Sequence, residues 1–123
     1  MKKLICICFA LLASTAWAEW VYVAENKWAL YFIDPTTIRR DGNLRKVWAM
    51  TNLRVRDKDG ELSRRTRVEY DCKQERARTL FISTHVDPMA QGETLINASL
   101  TGEWGEVPPN SVQSIELSMV CAK

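Results

Sequence analysis

His85 is the single histidine of the chain. With Ser83, Thr84 and Asp87 beside it, this is the one place where a nucleophile, a base and an acid stand close together in sequence. A hydrolytic triad needs those three roles, but it also needs a nucleophile held on a tight glycine-framed turn, and nothing frames Ser83 in that way. One histidine excludes multi-histidine zinc sites, and His85 reads as a strand-end surface residue. Glu103 and Glu106 flank Trp104 in a loop-like stretch, with no pattern that would converge two acids as glycoside cleavage requires. No phosphate-binding loop or dinucleotide fingerprint occurs. The residue types point to no catalytic, metal or cofactor site, and so to no enzyme.

Binding chemistry is better represented. Ser63-Arg64-Arg65-Thr66-Arg67-Val68 matches a basic pattern associated with heparin-like polyanions, and Arg54 and Arg56 lie just upstream across a hairpin. If the register brings the two pairs together, Arg54, Arg56, Arg65 and Arg67 form one electropositive patch; the plainer expectation is a solvated face on which they pair with Asp57, Glu69 and Asp71. Four tryptophans, Trp20, Trp28, Trp48 and Trp104, have core packing as their default role. Trp48 and Met50 are the exception, because they oppose Val47, Ala49 and Leu53 on one strand. That strand is apolar on both faces, and the Trp48 and Met50 face calls for a partner.

Stepping from these residues to their compartment, Lys2 and Lys3, an apolar run over residues 4–12 and Ala16-Trp17-Ala18 have the form of a signal peptide over residues 1–18. The run is too short to span a bilayer. Cys6 and Cys8 fall inside it without the small residues that precede a lipid-anchor cysteine, so the mature chain, residues 19–123, is expected to begin at Glu19 without lipid. Two cysteines remain, Cys72 and Cys121, and in an oxidising compartment they read as a disulfide. The full chain's formal charge of +2 comes from Lys2 and Lys3, leaving the mature domain neutral. Its basic residues crowd into residues 39–78, while residues 79–123 are acidic, and an exported neutral domain makes nucleic acid a poor partner.

The elements that must position these residues are mostly strands. Short alternating runs cover residues 20–24, 28–33, 44–56 and 62–72, with further strands over about 77–86 and 94–100. Asp34-Pro35 is expected to end the second, since proline cannot donate to a ladder. Asp41-Gly42, residues 57–60, Asp87-Pro88 and Gln91-Gly92 mark turns. The C-terminal stretch is ambiguous: Ile115, Leu117, Met119 and Cys121 alternate, yet Val112, Ile115 and Met119 keep helical spacing, and Asn110 or Ser111 could cap a helix.

The segment from Tyr31 to Ile38, then Gly42, Val47-Trp48, Ser63, Asp71-Cys72, Trp104, Val107-Pro108, Ser111 and Cys121, resembles the surface-adhesin protein E family of bacterial envelope proteins over residues 20–121. The resemblance implies an α+β fold, a single antiparallel sheet of about six strands with a C-terminal helix on one face, tied there by the two cysteines. It also implies a non-enzymatic binding module, periplasmic or cell-surface associated, with an extracellular or host protein or an anionic polysaccharide as partner. The alternative is a periplasmic homodimer or envelope-assembly protein without a host ligand. Proteolysis of intact cells separates the two.

Overall fold

The computed structural model describes residues 18–122; the leader expected over residues 1–18 lies almost wholly outside them. Strands β1 (Val21–Glu25), β2 (Ala29–Asp41), β3 (Leu44–Leu53), β4 (Ser63–Asp71), β5 (Arg76–His85) and β6 (Thr94–Ser99) follow one another in a meander, every pair antiparallel. A two-residue strand, β7 (Gly105–Glu106), pairs with the start of β5. Helix α1 (Val112–Val120) closes the chain, and among the described residues no helix is long and apolar enough to cross a membrane.

Local chemistry explains most boundaries. Gly42, at φ +57°, turns β2 into β3 between the paired Asp41 and Leu44, a conformation that glycine adopts without steric cost. Ser111 caps α1: its hydroxyl accepts from Ser114 N at 3.1 Å while its own N–H donates to Ser114 Oγ at 3.1 Å, satisfying amides that the first turn leaves unpaired. The helical spacing of the C-terminal stretch prevails over its alternation.

Asp34-Pro35 does not end β2. The strand instead bulges outward, so that Asp34 faces Trp48 and Arg39 faces Lys46. Asp34 organises the detour by accepting from Thr36 N at 3.0 Å. Thr37 Oγ1, 2.7 Å from the Asp34 carbonyl, accepts from Trp48 N in place of a backbone carbonyl. Proline's missing donor is thereby accommodated in a bulge, where sheets tolerate it. At the other end β3 stops at Leu53, short of the expected Arg56, because Asp57 Oδ1 draws the amides of Asp59 and Glu61 into a turn of its own.

The core lies between α1 and one face of the sheet. Val23, Ile33, Val47, Ala49, Val68, Tyr70 and Ala77 meet Leu117 and Val120 there. Cys72, just past β4, is bonded to Cys121 at the helix C-cap with 5.7 Å between their Cα atoms. The bridge ties the helix end to the strand it covers. None of the four tryptophans belongs to this core, contrary to expectation: Trp28 is 66% exposed and the other three are partly exposed.

Candidate functional site

The sheet's other face carries the basic and aromatic chemistry. In the β3/β4 register Trp48 lies opposite Arg67 and Met50 opposite Arg65; in the β4/β5 register Arg67 lies opposite Phe81. Strand alternation puts all of these side chains on the side away from α1. Phe81 joins them through a register shift, since Arg67 pairs with Phe81 and Val68 with Thr79, leaving Leu80 as the extra residue.

Trp48 is the platform. The Arg65 guanidinium carbon stands 3.9 Å from its ring centroid, Arg67 stands 5.4 Å away, and Phe81 meets it edge-on at 5.4 Å. Cation–π contacts of this kind stabilise by about 0.5–2 kcal/mol, more as water is excluded. An open groove of about 640 Å³ runs beside the platform, lined by Thr37, Arg39, Lys46, Trp48, Arg67 and Phe81. Partial burial, followed by the like charges of Arg39 and Arg65, holds the Arg67 guanidinium below its ordinary pKa.

The nearby carboxylates are engaged elsewhere. Glu69 pairs with Arg78 at 2.6 Å, Asp71 with Arg76 at 3.2 Å and Glu61 with Arg64 at 2.6 Å. Arg76 and Arg78 are in turn stacked on Trp104, at 4.8 and 4.5 Å. Among the described residues no carboxylate lies within ion-pair distance of Arg65 or Arg67. Glu69 and Asp71, expected from sequence to pair with the arginines of the hairpin, are thus buried and paired with arginines one strand over, on β5.

The four arginines singled out from sequence separate into two that share the platform and two that do not. Arg54 reaches back to Glu25 and the Asn26 carbonyl. Arg56 donates to the carbonyls of Gly60 and Val86 at 2.8 and 2.6 Å. Both stand beyond the end of β3, where the alternation that would have aligned them no longer applies. Met50 offers no partner surface, being 1% exposed: the 3₁₀ turn Pro88–Ala90 lies against β3 and β4 beside it. Cross-strand neighbours Asn52 and Ser63 bind that turn through Met89 N, Ala90 N and the Asp87 carbonyl. Of the pair, only Trp48 is partly accessible. Lys46 shares the parity of Trp48 on β3, but Arg39 and Phe81 were not legible as neighbours, because both bulges had to be known first.

His85 is buried rather than on the surface, with Nε2 2.9 Å from Ser83 Oγ and Nδ1 3.3 Å from Thr94 Oγ1. Burial first, and then Arg65, pushes its pKa down. Among the described residues no acid is hydrogen-bonded to the ring, so the pair lacks the third member of a triad. Glu103 and Glu106 are exposed on separate positions around β7. Among the described residues no three His, Cys, Asp or Glu side chains converge as metal ligands would.

A one-sheet domain with a disulfide-tied helix on one face and a cationic, aromatic groove on the other has the build of a recognition module. The sequence profile of surface-adhesin protein E matches residues 20–122, and the chain belongs to that family. The fold recurs in solved structures of Haemophilus influenzae protein E. One crystal form is 16% identical with a TM-score of 0.63, covering 84% of this chain and 87% of that one. The protein from a non-typeable strain is 14% identical with a TM-score of 0.62, covering 89% and 79%. At such identity the likeness is one of fold. No curated protein matches by sequence.

Proposed function

We propose that the mature chain is an exported, non-enzymatic binding module of the cell envelope that presents the Trp48, Arg65 and Arg67 face to an anionic extracellular partner. The observation that carries this reading is the gathering of Arg65 and Arg67 on Trp48, with Arg39 and Lys46 beside them and, among the described residues, no carboxylate within ion-pair distance of the four. Like charges collected without a counter-ion cost folding energy, and an anion that supplies the missing charge recovers it. Membership of an adhesin family agrees with recognition rather than catalysis.

Heparin serves as the model polyanion. Its affinity for the mature protein should fall steadily with added salt, and the Arg65→Ala, Arg67→Ala double variant should bind at least about tenfold more weakly, as expected when charged hydrogen-bond donors are removed. Equal binding by the double variant removes the reading. The second reading, a structural homodimer, draws on the edge strand β6, where Leu95 and Ile96 are exposed beside unpaired backbone. Sedimentation distinguishes the two, since a monomer at micromolar concentration has no dimer to build.

A further inference from the structure

The helix face of the sheet holds a second cavity of different character. A cleft of about 710 Å³ opens between the first half of α1 and strands β1 to β4, and among its walls are Tyr31, Thr66, Tyr70, Val112 and Glu116. Glu25 stands at its edge, held by Arg54. Among the described residues no lysine or arginine lines it. Glu116 is 7% exposed and, among the described residues, has no ion-pair partner. Its companion is the Tyr70 phenol, which burial and the neighbouring Glu116 carboxyl push up and so keep neutral. A glutamate on the buried stripe of a helix, next to Leu117 and Val120, is costly where an apolar residue would pack as well. A buried carboxyl without a counter-charge, in a cavity of mixed polar and aromatic lining, is the arrangement that a cationic guest completes.

We propose that this cleft binds a small organic cation, a protonated primary amine on an aromatic or apolar body, with Glu116 as counter-ion and the Tyr31 and Tyr70 rings around the body. The rings supply cation–π and apolar contact, and the carboxylate supplies the charge-assisted hydrogen bond. The site is on the opposite face from the Trp48 groove and stands independently of the anion reading. Burial holds the empty cleft's Glu116 carboxyl at a pKa of about 7, against the opposing hydrogen bond from Tyr70. An ammonium guest therefore binds the ionised carboxylate, and the carboxyl proton leaves to solvent. The groups that face Glu116 are Tyr70 from β4, Tyr31 from β2 and, at the edge, Glu25 of β1 with its Arg54.

The test is an NMR titration of the mature protein with phenethylammonium, with 2-phenylethanol as the uncharged isostere. The amine should shift the Tyr31, Tyr70 and Val112 signals saturably and bind roughly tenfold tighter at about pH 8 than at about pH 6, the ratio of ionised Glu116 at the two values. The alcohol should bind weakly and equally at both. Glu116→Gln should lose the pH dependence and the preference for amine over alcohol. Thr66→Leu, which narrows the cavity and leaves the carboxyl, should weaken binding at both pH values while keeping the tenfold ratio. The proposal is overturned if no saturable shift appears, if the alcohol matches the amine, if Glu116→Gln keeps the preference, or if the shifts map to the Trp48 face.

Discussion

Glu116→Gln should stabilise the ligand-free protein above about pH 7 and leave it nearly unchanged at low pH. Burial raises the carboxyl from an ordinary 4.5 to about 7, so the folded state binds this proton more tightly than the unfolded chain does. A group shifted in that direction gives stability that is fully present below pH 4.5, declines as pH rises through the interval and is gone above about 7. The gap of about 2.5 units corresponds to about 3 kcal/mol, and glutamine, which carries no charge at any pH, escapes the loss. His85 contributes the opposite slope: its depressed pKa gives stability that is present above 6.5 and lost as pH falls. Both proteins carry His85, so the difference between their curves isolates Glu116. Urea midpoints taken in half-unit steps from about pH 4 to about pH 9, with the disulfide intact, give both curves. Parallel curves, or a variant less stable than the wild type at high pH, would refute the reasoning, because a buried carboxylate without a counter-charge must cost more than its neutral isostere.

Cys121→Ala should lose about 4 kcal/mol from the urea transition, the loop-closure value for a bridge between residues 49 apart, while the native protein shows no titratable thiol at these positions. Gly102→Ala should cost more than about 1 kcal/mol, since a methyl there would collide with the Thr79 carbonyl oxygen and force the segment off β5; Trp104 fluorescence should shift with it. Intact mass should put the mature N-terminus at Glu19, and a diacylglyceryl adduct on Cys6 or Cys8 would contradict it.

Most of the sheet was legible because strand alternation and turn residues act over a few positions. Gly42, residues 57–60 and Asp87-Pro88 each divide elements where local chemistry demands. The disulfide was legible from composition and compartment, whereas the choice of Ser111 over Asn110 as the cap, and of helix over strand, needed the structure. The bulges were not. A bulge depends on which partner strand offers an acceptor, as Thr37 does for Trp48, and each one reverses the face of every residue beyond it. Phe81 therefore reads as a helix-face residue from its parity with Thr79, yet stands beside Trp48. The four-arginine alignment foundered on the same ground, since it assumed that alternation ran on to Arg56. Glu116 left no trace in the pattern at all, because only the packing of α1 on β4 gives it an environment.

The location of the groove follows from where the covering turn stops. A central strand with apolar residues on both faces must be covered twice, and α1 is long enough for one face only. On the other, the Pro88–Ala90 turn covers Met50 but adopts left-handed backbone at Met89 and Ala90, φ 60° and 58°. For residues with a Cβ this costs about 1–2 kcal/mol each. Asn52 and Ser63 offset the cost with hydrogen bonds of 2.6–2.9 Å, each worth about 1 kcal/mol net. Extending the turn toward Trp48 would need further anchors, and there the cross-strand neighbours are Arg67, which offers donors only, and Asp34, whose carboxylate already accepts from Thr36 and the Glu19 amide. The arginines fold over the indole instead. An apolar strand that the chain lacks the means to finish covering is closed by cations, and cations so placed, with no ion-pair partner among the described residues, make a surface that an anion can complete.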